Sequence, residues 1–244
     1  MYSAPVYARS NEAPVVLVGA AHVIDLDAPL RRALGARVLD GIAVELDAER
    51  AQALLNRPTG GRRSARGVPL IARLWGHLQH RLGAELGGGA AGAEMKVAAA
   101  VAGERSLPLF LIDDPIRATL ASLLAALPVR ERVLLLASAV VALFVPSGVV
   151  GREVDRYAED PDGFAEEIRR ASPTLAKVLI DDRNEHMADR LVSLRARGYG
   201  RVAVVVGDAH LPGLAAALRR RGVPVEAIPF RELRAATGPS SSPS

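Results

Sequence analysis

Two stretches decide the fold: Val15-Val16-Leu17-Val18-Gly19-Ala20-Ala21-His22, and Val202-Ala203-Val204-Val205-Val206-Gly207-Asp208-Ala209-His210. Each is an apolar run, a glycine, two residues and a histidine. A short continuous apolar run bounded by turn residues reads as a strand buried on both faces. The glycine permits a sharp exit from the strand. Each histidine then falls just past the carboxyl end of its strand, the edge at which open α/β sheets bind ligands.

Outward from these two runs, similar strands are predicted at Ile42–Leu46, Leu109–Ile112 and Val223–Ile228. Helical patterns lie between them, at Ala48–Leu55, from about Glu94, and over Ile116–Leu127, Arg130–Phe144, Gly163–Ala171, Thr174–Arg197 and Leu214–Arg221. Apolar strands alternating with helices imply an α/β fold whose mostly parallel or mixed central sheet is covered by helices on both faces. Arg201–Val206, a helix and Val223–Ile228 form a βαβ unit. Residues 1–13 read as a flexible lead-in, 14–234 as a single domain and 235–244 as a disordered tail, since 238–244 contain only Gly, Pro and Ser. Two glycine-rich stretches, 57–67 and 83–92, read as loops.

The 244 residues are 50% hydrophobic and 24% charged, which excludes disorder for the bulk of the chain. A chain of this size buries roughly three-quarters of its extended surface. With no cysteine, disulfides, thiolate zinc sites, iron–sulfur clusters and a cysteine nucleophile are excluded. The excess of 31 basic over 27 acidic residues is small, and the basic residues are arginine except Lys96 and Lys177. No nucleic-acid partner is expected: no reader motif accompanies the charge, and an aromatic content of 4% makes a poor stacking platform. The longest apolar stretch, Val133–Val145, is shorter than the roughly 20 residues of a bilayer span and reads as a core helix. No secretory signal is visible in Met1–Ala13. A soluble, cytoplasmic protein without an integral membrane span is expected; its oligomeric state is left open.

The chemistry concentrates at the strand ends. If the three strands are neighbours and run the same way, His22, His210 and Glu45 converge. Two imidazoles and a carboxylate suit a divalent metal, or equally a metal-free acid/base site; the alternative is two unrelated turns. In the helix Thr174–Arg197, Leu175, Leu179, Met187, Leu191 and Leu194 share one face with Arg183 in its midst. An unpaired buried guanidinium is very costly. Arg183 therefore either neutralises a carboxylate such as Glu45 or clamps a substrate carboxylate or carbonyl oxygen. Arg190, nearer the helix end, reaches water. Glu94 opens a helix after the glycine-rich stretch, where the macrodipole favours it, and Asp113 and Asp114 close the strand at 109–112. His77 and His80, three apart on a helix, lack a third ligand nearby and read as surface or core residues, and His186 is set aside.

These residues resemble the TraB family, which includes the pheromone-shutdown proteins of the PrgY type and the Wnt-inactivating Tiki metalloproteases and is distantly related to erythromycin-esterase-like and ChaN-like folds. The resemblance spans roughly residues 15–229. It is carried by Gly19-Ala20-Ala21-His22, Glu45, Gly92-Ala93-Glu94-Met95, and Leu111-Ile112-Asp113 with Ile116, Thr119 and Leu120. It continues in Asp182-Arg183-Asn184 with Met187, and in Val206-Gly207-Asp208-Ala209-His210-Leu211-Pro212-Gly213-Leu214. Where the family commonly has an arginine after the middle aspartate, this chain has Asp114. The C-terminal membrane spans of archaeal members have no counterpart in it.

The resemblance implies a metal-dependent hydrolase, a peptidase, acting on a peptide or small-molecule substrate. His22 and His210 would bind a divalent metal (manganese, cobalt or zinc), with Glu45 as ligand or general base. Arg183 and Asn184 would orient the carboxylates or polarise a substrate carbonyl, and Glu94 and Asp113 would belong to the surrounding shell. Two alternatives place the same residues in a protein that sequesters a peptide or haem-like ligand without turnover, or in a metal-free esterase-like hydrolase.

Overall fold

The computed structural model describes residues 12–20, 26–55, 92–131, 133, 166 and 169–235. His22, His77, His80, the two glycine-rich stretches apart from Gly92 and most of Arg130–Phe144 and Gly163–Ala171 lie outside the described residues, as do residues 1–11 and 236–244.

Five strands, β1 (Val15–Ala20), β2 (Gly41–Val44), β3 (Leu109–Leu111), β4 (Val202–Gly207) and β5 (Val225–Ile228), form one sheet in the order β3-β2-β4-β1-β5. Every pairing is parallel, so of the two expected arrangements the parallel one holds among the described residues. Around the sheet lie α1 (Asp27–Gly35), α2 (Ala48–Leu55), α3 (Ala93–Glu104), α4 (Ile116–Ala126), α5 (Pro173–Ala176), α6 (Asp182–Ala196), α7 (Leu211–Arg220) and α8 (Phe230–Ala235). Ala235, assigned to the tail by composition, is the last residue of α8.

β1, β2 and β4 are buried along their whole length, because side chains of successive residues point to opposite faces and both faces are covered. Val16, Val18, Ile42, Val44, Ala203 and Val205 face one layer with Leu30, Leu34, Met95, Ala98 and Phe230. Val15, Leu17, Ala43, Val202, Val204 and Val206 face the other, with Met187, Leu191, Leu194, Leu214 and Leu218. α1 and α3 therefore pack on one side of the sheet and α6 and α7 on the other.

The helix predicted over Thr174–Arg197 is broken in kind. α5, entered from Ser172 as its cap, passes into a π-helical turn, Lys177–Asp181, and then into α6. A π turn adds a residue to the helical repeat and so rotates α6 relative to α5. The expected single apolar face is accordingly divided: Leu175 and Leu179 pack with Leu123, Leu127 and Val178, whereas Met187, Leu191 and Leu194 join the sheet core. α1 and α8 have no counterpart among the predicted helices.

Candidate functional site at the strand ends

Parallel pairing puts the carboxyl ends of β1, β2 and β4 at one rim. Ala20 lies opposite Gly207 and Val44 opposite Val205, so the chain leaves β1 and β4 side by side. From there it diverges: β1 leads to α1 on one face of the sheet, β4 to α7 on the other. Adjacent strands whose connections run to opposite faces leave a crevice at their carboxyl ends, the usual ligand position of an open α/β sheet.

Glu45, one residue past β2 and 7% exposed, closes that crevice from the β2 side. Its Oε2 accepts from the Gly207 N–H at 2.7 Å, which ties the end of β2 to that of β4. Its Oε1 accepts from Arg183 Nη2 and stands 3.3 Å from His210 Nε2. Asp113 is 2% exposed and receives Arg183 Nε at 3.0 Å and Nη2 at 2.6 Å. Arg183 Nη1 donates to Leu179 O at 3.0 Å, a carbonyl of the π turn, and meets His210 Nε2 at 3.1 Å. The five N–H groups of this guanidinium thus face five acceptors. Of the two partners expected for this guanidinium, a protein carboxylate or a substrate group, the described residues supply the first, in Glu45 and Asp113.

Charge and burial compete at these groups. Burial acts to lower the Arg183 pKa, but the charges of Glu45 and Asp113 and their hydrogen bonds raise it well above the ordinary value. Burial pushes the Asp113 carboxyl up. The Arg183 hydrogen bond and charge, with Arg50 behind them, outweigh this and the opposing charge of Glu45, holding Asp113 below the usual carboxylate range.

His210 lies in a single 3-10 turn, Asp208–His210, between β4 and α7. Its Nδ1 is 2.9 Å from Asn184 Oδ1. A guanidinium only donates, so Nε2 of the neutral ring accepts from Arg183 and the ring proton sits on Nδ1, donated to Asn184. Asn184, 2% exposed, keeps its Nδ2 buried without a partner. Gly213 supplies the room: a Cβ there would overlap Asn184 Nδ2. In the matching turn, a Cβ on Gly19 would overlap Asp208 Oδ1 and come within 3.3 Å of Phe230 N, the two groups joined by a 2.9 Å hydrogen bond.

Sequence reasoning missed Arg50 and Asp47. Asp47 Oδ1 accepts from the Arg50 N–H at 2.9 Å, as a cap of α2, and its Oδ2 accepts from Arg50 Nε at 2.6 Å. Arg50 Nη2 then reaches Asp113 Oδ2. The aspartate-before-helix signal was readable in Asp47-Ala48-Glu49-Arg50; the partner 63 residues away was not. Asp114 turns outward to His186 Nδ1 at 2.9 Å and Arg190 Nη2 at 3.2 Å, so Arg190 is paired rather than free in water. Glu94 is buried in the first turn of α3. Because α3 runs back along the sheet to enter β3, that turn lies toward the strand-end rim.

Among the described residues no three potential ligands are grouped to hold a metal ion. Two features nevertheless suit a cation. Glu45 Oε1 and His210 Nε2, 3.3 Å apart, have the spacing of two donors about 2.0–2.2 Å from one tetrahedral ion. In addition, the carboxylates of Glu45, Asp47 and Asp113 gather at this rim around Arg50 and Arg183. Any further protein donor has to come from outside the described residues, where His22 lies.

Residues 7–227 match the model of the TraB/PrgY/gumN family. A relative in Methanocaldococcus jannaschii, an uncharacterized protein, is 28% identical over 229 residues, covering 86% of this chain and 54% of its own length; the chain therefore spans about half of that relative. No solved structure matches.

Proposed function

The chain belongs to the TraB/PrgY/gumN family, and from that premise and the strand-end crevice we propose that it is a metal-assisted hydrolase of peptide bonds. His22 and His210 are the imidazole donors, to manganese, cobalt or zinc, and Glu45 stands beside them. The observation that carries this reading is the convergence of Glu45, His210 and Arg183 at the ends of β2 and β4, next to the end of β1. Ala20, opposite Gly207, is two residues before His22, and consecutive Cα atoms are about 3.8 Å apart. The reading takes His22, two residues beyond the end of β1 in sequence, as the second imidazole.

A bound divalent ion supplies a water of lowered pKa and polarises a carbonyl oxygen. The chain's own residues do the rest. Glu45 Oε1 accepts the proton of the attacking water, and the Gly207 N–H on Oε2 fixes the carboxylate in position. Asn184 holds the His210 ring through Nδ1, and Nε2 would exchange its contact with Arg183 Nη1 for the ion when one is bound. Arg183, with all its N–H groups engaged, orients Glu45 and Asp113. Of the two roles considered for it, this one fits the geometry better than polarising a substrate. Arg50 is the guanidinium left with an N–H donor group, Nη1, unpartnered among the described residues. With its side chain 31% exposed, it faces the developing oxyanion.

A metal-free reading, with Glu45 and His210 as the acid/base pair, draws on the Arg183 Nη1 contact that covers His210 Nε2. One experiment addresses both. Metal-stripped protein is incubated with a defined peptide mixture, with and without each ion, and products are followed by mass spectrometry. Metal-restored cleavage lost in both His22→Ala and His210→Ala is expected. Cleavage that survives both substitutions overturns the proposal, and chelator-resistant cleavage lost in His210→Ala selects the metal-free reading.

A further inference from the structure

β3 is an edge of the described sheet, and its register with β2 determines which of its backbone groups are used. The Ile42 N–H donates to Pro108 O, the Ile112 N–H donates to Val44 O, and Phe110 lies opposite Ala43. A parallel ladder engages alternate residues of a strand. Pro108, Phe110 and Ile112 therefore face β2, and the N–H and C=O of Leu109 and Leu111 point away from it. Leu111 O is met by Arg190 Nη1 at 3.4 Å. The Leu109 N–H and C=O and the Leu111 N–H have no hydrogen-bond partner among the described residues.

A groove of about 400 Å³ runs between Leu109–Ile112 and the second half of α6 with its C-cap, where Arg190, Leu194 and Arg197 line it. The charged residues lining it are both arginines. Arg190 is shared with Asp114, whereas Arg197 is exposed and has no side-chain partner among the described residues. They are seven positions apart along α6 and its C-cap, about 10 Å at 1.5 Å per residue. Three strand residues at about 3.3 Å each cover the same length. The groove's upper end, at Ile112, directly precedes Asp113, and α6, which forms its wall, begins at Asp182 with Arg183 in the crevice.

We propose that this edge is the substrate-docking strand, taking an extended acidic peptide as an added strand alongside β3 with a peptide carboxylate on Arg197. The inference rests on the peptidase reading and gives it a substrate class. Backbone pairing supplies sequence-tolerant binding, and the arginines select for charge. Neighbouring strands are about 4.8 Å apart, so the path from the added strand over the rim to β2 takes about three further peptide residues.

The test uses the full chain carrying His210→Ala, so that bound peptide is not consumed. Amide hydrogen exchange is read by NMR with and without a fluorescein-labelled octapeptide of alternating Val and Thr carrying one Glu. The amides of Leu109 and Leu111 are expected to exchange quickly in the free protein and at least about tenfold more slowly with peptide, while those of Phe110 and Ile112 are slow throughout. By anisotropy, changing the peptide Glu to Lys, or Arg197→Glu in the protein, is expected to weaken binding about fivefold, the scale of an exposed charge pair. N-methylation of the peptide backbone is expected to abolish it. Leu109 and Leu111 amides already protected in the free protein, or unchanged by saturating peptide, overturn the proposal, as does binding indifferent to N-methylation. Peptide binding at β3 without cleavage by the unmodified protein would reject the hydrolase reading alone. Cleavage with no change at β3 would reject the docking strand alone.

Discussion

Replacing Arg183 with methionine tests the strand-end network most severely. The substitution removes the ion pairs to Glu45 and Asp113 together with the contacts to Leu179 O and His210 Nε2. It leaves two carboxylates, 7% and 2% exposed, facing each other across a gap, with Arg50 as Asp113's remaining cation. Breaking a buried pair from one side costs about 3–5 kcal/mol, because the abandoned charge stays buried. In a domain of this size that lowers the melting temperature by about 10 °C. The penalty belongs to the carboxylates, so neutralising them recovers it. Arg183→Met combined with Glu45→Gln and Asp113→Asn is expected to regain about half of the loss, and a double-mutant cycle between Arg183 and Asp113 is expected to give a coupling of at least about 1 kcal/mol. Urea titrations at pH 7 measure both quantities. A cost for Arg183→Met below about 1 kcal/mol, the range of an exposed salt bridge, would refute the reasoning, as would strictly additive effects.

Because Asp113 is held below the ordinary carboxylate range, its stabilising contribution is complete above its unfolded value of about 3.9 and is lost as pH falls through its folded value. The wild type should therefore lose more stability than Asp113→Asn between about pH 5 and pH 3, and parallel acid-unfolding curves would contradict this. Gly19→Ala should push Asp208 off the Phe230 N–H and cost about 1–3 kcal/mol in urea, the scale of a buried donor left unsatisfied; a neutral result means the close packing on Gly19 is absent. Gly213→Ala should displace Asn184 and move the His210 ring nitrogens in ¹⁵N NMR, with Asn184→Ala giving the same shift; unchanged resonances in both would separate Asn184 from His210. Arg50→Gln should lower kcat more than it raises KM for a cleaved peptide, since its unpartnered donors are assigned to the transition state. A change in KM alone would assign Arg50 to substrate binding instead.

The sheet was legible because β1, β2 and β4 are covered on both faces and so are written as unbroken apolar runs. The repeated glycine and histidine marked the ends of two strands that proved adjacent. Arg183 within a stripe of leucines announced a partner for its charge, a carboxylate or a substrate group, and Glu45 is one. Other features depended on contacts that spacing does not encode. The π turn at Lys177–Asp181 leaves no mark in the hydrophobic period, yet it divides the apolar face and presents Leu179 O to Arg183. Arg50 joins Arg183 only through Asp113, a residue far along the chain just past the next strand of the sheet. α1 has a stripe scarcely more than Leu30 and Leu34 wide between arginines, too narrow to stand out. The strand limits shifted by a residue or two: Glu45 and Leu46 fall beyond β2, and Ile112 beyond β3, although the Glu45 and Ile112 N–H groups still donate to Val205 O and Val44 O.

X-ray absorption of the cobalt-loaded protein, compared among wild type, His22→Ala and His210→Ala, bears most directly on the claim that both histidine turns serve one centre. Scattering from two imidazoles at about 2.0–2.2 Å in the wild type, falling to one in each variant, is the expected result. A spectrum without imidazole, or one that either substitution leaves untouched, would contradict a centre shared between β1 and β4.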